Sequence, residues 1–126
     1  MTNISRSKTK TAEFRQLHKE LTRSMSQLDQ KSAYYFFDEL FTDTEKIMII
    51  KRFSALVMYE RGYSTYKVWN VLHISPTTAQ KLYVEYENKK YQNLLKIFTK
   101  SNMPAFLTFI DKLIKAQGKD RWLLLK

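Results

Sequence analysis

Between Ser64 and Lys81 the chain concentrates side chains that can meet an anion or the edge of a nucleic-acid base. Ser64, Thr65, Tyr66 and Lys67 come first; Ser75, Thr77, Thr78, Gln80 and Lys81 follow. Hydroxyl, amide and ammonium groups donate to phosphate oxygens and to base acceptors, and a helix N-terminus adds unpaired N–H groups and the positive end of its dipole. The window 61–81 holds three Lys/Arg and no Asp or Glu, so no carboxylate there repels a polyanion. Catalysis finds no comparable set. Acidic residues are scattered, no carboxylate pair neighbours a histidine and no nucleophile motif occurs, so no catalytic residue and no enzyme is expected. With no cysteine and only His18 and His73 for imidazole ligands, neither a metal centre nor another cofactor is expected.

Placing these groups requires two short helices and a tight turn. Ser64 can cap the first. Ser75 followed by Pro76 supplies a cap and a proline at the first helical position, where its missing N–H costs nothing. About three residues, His73-Ile74-Ser75, separate them. The spacing therefore predicts a helix-turn-helix over about 64–87. With Thr65 as the first position of a 20-residue unit, Val68, Leu72, Ile74, Ala79 and Leu82 fall at the five positions that such motifs keep apolar. Trp69 stands where a small residue is usual and is expected to be steered outward. His73 stands where glycine is usual, and histidine tolerates a positive φ better than most side chains. Lys67 and Tyr66 are placed for backbone phosphate. Ser75 is a cap first and a phosphate contact second, while Thr77, Thr78, Gln80 and Lys81 are placed to read bases.

Around this motif the chain reads as one helical domain. It has 126 residues, 44% of them hydrophobic, and its two glycines are too few for the turns of a sandwich or barrel. Residues 1–12 are polar and basic, an expected flexible arm. From Glu13, Phe14, Leu17, Leu21, Met25 and Leu28 recur at helical spacing. Four consecutive rings, Tyr34 to Phe37, exceed what one small core can face, so some are expected to pack on a second subunit. Thr42 and Glu45 have capping-box spacing and open a helix that stops at Gly62. Ile47, Met48, Ile49, Ile50, Phe53, Leu56, Val57 and Met58 make that helix apolar around most of its circumference, so it is expected to be central and buried. Tyr91, Leu94, Leu95 and Phe98 suggest another turn or two. A last helix over 103–117 carries Phe106, Phe109, Ile110, Leu113 and Ile114 against a basic face of Lys112 and Lys115. The domain so defined is 13–118, and 119–126 is a tail. No apolar run suits secretion or a membrane span, which with the absence of cysteine points to the cytoplasm and to no membrane partner. The net charge of +10 fits either solubility or a polyanionic partner.

From Leu40 to about Asn88 the order of features resembles the tryptophan repressor family: L-F-T-D-T-E opening a long helix, Lys51-Arg52 within it, Arg61-Gly62 closing it, then the helix-turn-helix. The resemblance implies an all-α protein of about six helices, an intertwined homodimer whose first two helices interlock with those of its partner. It also implies a regulator of transcription that reads double-stranded DNA through two recognition helices about 34 Å apart. A ligand site is implied as well. In that family an arginine on the long helix and another on the recognition helix sandwich an amino-acid corepressor, with a threonine nearby. Arg52 and Thr42 stand at the first and last of these positions. Lys81 replaces the second arginine, and an ammonium cannot lie flat on an aromatic ring as a guanidinium does, which speaks against a small-molecule corepressor and assigns Lys81 to DNA. Taken alone, Thr42 reads first as a helix cap and Arg52 first as an ion-pair partner of Asp38 or Glu39. The competing reading of the whole chain is a helical protein- or RNA-interaction module without sequence-specific DNA binding.

Overall fold

The computed structural model describes residues 11–100 and 104–116. Among them every regular element is a helix, seven in all, with no strand. The first ten residues of the expected arm, the expected C-terminal boundary at Gln117-Gly118 and the tail 119–126 lie outside the described residues. Among the described residues no helix is long and apolar enough to cross a membrane. The chain divides into two compact units, 1–46 and 47–126.

The first unit contains α1 (Ala12–Met25), α2 (Gln30–Leu40) and the opening turn of α3 (Asp43–Glu60). Each start is fixed by a side chain that accepts an otherwise unpaired N–H. Thr11 accepts from Phe14 at 3.2 Å and Asp29 from Ser32 at 2.8 Å, which holds the Asp29 carboxyl below its ordinary range. The capping box of α3 is complete: Thr42 Oγ1 accepts from the Glu45 N–H at 3.2 Å, and Glu45 Oε1 accepts from the Thr42 N–H at 2.9 Å. Its backbone bond lowers the Glu45 pKa. Lys46 Nζ lies 2.9 Å from Asp38 and 3.2 Å from Asp43 and binds the end of α2 to the start of α3. No described residue of α1 or α2 is buried. Leu17 is 69% exposed and Tyr34 66%.

The second unit holds the rest of α3, then α4 (Thr65–Leu72), α5 (Pro76–Glu87), α6 (Gln92–Lys100) and α7 (Pro104–Lys115). Its core joins Ala55, Met58 and Tyr59 of α3 to Val68, Val71 and Leu72 of α4, Ala79 and Leu82 of α5, and Ile110 and Leu113 of α7. Four of the five apolar motif positions, Val68, Leu72, Ala79 and Leu82, are thus buried in it, and Ile74 packs against it. Phe53 meets Phe98 and Phe106 edge-on, at 5.1 and 5.2 Å between centroids, which carries α6 and α7 onto α3. Arg61 and Asp111 form an ion pair at 3.5 Å. Of the last helix's apolar stripe, Ile110 and Leu113 are core and Phe106 and Ile114 pack against it, while Phe109, Lys112 and Lys115 are exposed.

Two expectations change. Only the second half of α3, Ser54 to Tyr59, is buried; Ile47, Met48 and Ile50 are each more than half exposed, at 54%, 54% and 52%. The packed neighbours α4, α5 and α7 cover the C-terminal end of that helix and leave its first turns bare. The turn or two expected after Tyr91 is a full helix, α6, which brings the count to seven.

Candidate nucleic-acid interface

The helix-turn-helix is built by local rules and then held by two longer bonds. Ser64 caps α4 by accepting the Lys67 N–H at 3.1 Å. His73 ends α4 in the left-handed region, φ 57° and ψ 48°, and its N–H is given to the Trp69 carbonyl, as is that of Ile74 at 3.3 Å. Ser75 Oγ accepts the Thr78 N–H at 3.0 Å and donates to Thr78 Oγ1 at 2.8 Å, with Pro76 at the first helical position of α5. From α3, Lys51 Nζ donates to the His73 carbonyl at 3.1 Å. The Tyr59 hydroxyl donates to the Ala79 carbonyl at 2.7 Å inside the core, and burial pushes its pKa up to about 12. One bond fixes the turn and the other fixes α5 against α3.

This frame presents the expected residues at the surface. Ser64, Tyr66, Ser75, Thr77, Thr78, Gln80 and Lys81 are exposed, and Thr65 and Lys67 are half-buried. The side chains of α5 sort onto two flanks. Thr77 and Gln80 line a shallow groove together with Thr65, Trp69 and Pro76. Ser75 and Thr78 line a cleft of about 610 Å³ together with Ile47, Lys51, Arg52 and Tyr91. Lys81 borders both. The Thr78 hydroxyl accepts from Ser75 and keeps its own proton to donate.

Arg52 and Lys81, placed in different roles by the sequence, therefore edge the same cleft. Asp38, one of the two acids named for Arg52, binds Lys46 at the α2–α3 junction. Thr42 acts as the helix cap, in the first unit. Trp69 is half-buried rather than turned wholly outward; its ring meets Tyr66 edge-on at 5.0 Å and 74°.

Sequence reasoning missed Tyr91, Glu85 and Lys90. Glu85 is the first acid after the acid-free window and lines the cleft. It accepts from the Tyr91 hydroxyl at 2.8 Å and from Lys90 at 3.2 Å, bonds that lower its pKa. Its negative charge is matched within the fold. Spacings of five and six residues across a helix end belong to no periodic pattern; they close here because Lys89 takes φ 62° and reverses the chain. The Lys51 and Tyr59 bonds were equally invisible, since their partners lie 22 and 20 residues away.

Compared with known protein families, curated proteins and solved structures, the chain has no match in any of the three.

Proposed function

We propose that this chain is a sequence-specific double-stranded-DNA-binding protein, a regulator of transcription built on a tryptophan-repressor-like plan and acting as a homodimer. The observation that carries the reading is the exposed, Ser75-capped start of α5, where Thr77, Thr78, Gln80 and Lys81 project from a surface without acidic side chains between 61 and 81. Those groups suit the donor and acceptor pattern of a major groove, and the capped N-termini of α4 and α5 suit phosphate. Lys67 and Tyr66 add backbone contacts. The homodimer is supported by the first unit, where no described residue of α1 or α2 is buried, and by the exposed Ile47, Met48 and Ile50 of α3.

Selection from a random duplex pool at near-physiological salt tests the proposal. Enrichment of a site with two related halves about one helical turn apart is the expected result. Lys81→Ala lowers affinity for that site about tenfold or more, within the range of a lost base contact, and log K falls steeply with log salt. A pool that enriches no sequence, in protein that remains folded, overturns the reading in favour of a protein- or RNA-interaction module.

A further inference from the structure

The flank of the interface beside α4 carries a feature that phosphate binding and polar base reading leave unused. Trp69 and Pro76 form an apolar strip along the shallow groove, and Thr65, Thr77, Gln80 and Lys81 surround that strip with donors. Tyr66, 59% exposed, sets its ring edge-on against the indole and holds it in place. On its inner side Trp69 packs against the core cluster, so the strip is a fixed surface, not a mobile side chain. Among the described residues no carboxylate borders the groove. The carboxylate nearest in sequence on α5, Glu85, lines the other cleft and is matched there by Lys90 and Tyr91.

An apolar strip with hydrogen-bond donors beside it is the complement of one base edge in particular. Thymine presents a C5-methyl group next to the O4 acceptor in the major groove; guanine offers acceptors without a methyl, and cytosine a donor. Resting on the duplex-binding reading above, we infer that Trp69 and Pro76, braced by Tyr66, form a thymine-reading wall: the methyl packs on the indole and the proline ring while O4 accepts from Thr77, Gln80 or Lys81. The wall makes Trp69 a specificity-determining residue on the first helix of the motif, outside the α5 side chains that carry the polar readout.

Deoxyuridine substitution separates this contact from everything else in the site, because it removes only the methyl group. In the duplex selected by the wild-type protein, each thymine is replaced singly and affinity is measured for wild type, Trp69→Ala and Tyr66→Ala. One thymine per half-site should lose about fourfold affinity for the wild type on conversion to uracil, the worth of one buried methyl group. Trp69→Ala should bind the thymine and uracil duplexes equally, and Tyr66→Ala should discriminate less than wild type. Because Trp69 touches the core, helicity of its variant is checked by circular dichroism; the Tyr66 variant, altered at an exposed ring, carries the test if that variant unfolds. Equal discrimination by wild type and both variants, or no methyl-dependent position, overturns the inference while leaving duplex binding intact. Failure of the selection itself overturns the duplex reading and this inference with it.

Discussion

His73 holds the tight turn at φ 57°, a region that costs an ordinary L-residue roughly 1–2 kcal/mol. Two neighbours keep it there: its N–H closes the end of α4 on Trp69, and its carbonyl receives the Lys51 ammonium. A β-branched side chain tolerates that region worst, so His73→Val should destabilise the fold by about 1 kcal/mol or more in urea titration, whereas His73→Gly should not. Equal losses for both would mean that the imidazole, and not the backbone, matters at this position. The turn shows which residues could be read without a structure. Ser64, Ser75 and Thr42 act within three residues of themselves, and each cap stands where its spacing placed it. Arg52 could not be read in that way. Asp38, one of the two acids named for it at a subunit boundary, binds Lys46 within the chain, a pairing across the α2–α3 junction that no helical spacing announces.

At the scale of elements, α3 organises the helix-turn-helix from behind. Its Tyr59 is in the core cluster and its hydroxyl reaches the Ala79 carbonyl on α5, so α5 is located by one buried bond as well as by packing. Tyr59→Phe keeps the ring and removes that bond, and should cost about 0.5–1.5 kcal/mol. The same residue gives the fold an alkaline limit. With its folded pKa raised to about 12 from an ordinary 10.0 by burial, the neutral hydroxyl's contribution is complete below pH 10 and is lost as pH climbs toward 12. The phenylalanine variant should therefore show a shallower loss of stability across that interval in denaturant titrations at fixed pH; an unchanged slope would mean that Tyr59 ionises freely. Element type was readable almost throughout, because apolar spacing and caps are local. Extent was less so. α1 ends at Met25 and not at Leu28, as Ser26 turns the chain and Asp29 starts a new helix. Ile47, Met48 and Ile50 in the first half of α3 are apolar yet exposed, since periodicity tells which residues avoid water and not which neighbour covers them.

For the molecule as a whole, the contrast between the two units matters most. Residues 47–116 include a cluster of interlocked aliphatic and aromatic side chains, whereas the described part of 11–46 consists of helices that bury none of their own. Helices of 14 and 11 residues are marginal in water when nothing packs on them. If a second copy supplies the cover, as proposed, helicity should fall on dilution by no more than the share that α1 and α2 contribute, while the Tyr59-centred core keeps its signal; circular dichroism and tyrosine fluorescence over a dilution series would resolve the two. Leu17→Asp should abolish the concentration dependence by leaving the chain monomeric at every dilution, as read by sedimentation. The four consecutive rings from Tyr34 to Phe37 raise the same proposal of a partner from the sequence, although no pattern within one chain could say how the rings would be matched. If α1 and α2 are covered by a second copy, as proposed, the protein's abundance becomes a variable of its activity: half the copies per cell would give fewer than half the dimers, a mass-action threshold that follows from helices that bury none of their own residues.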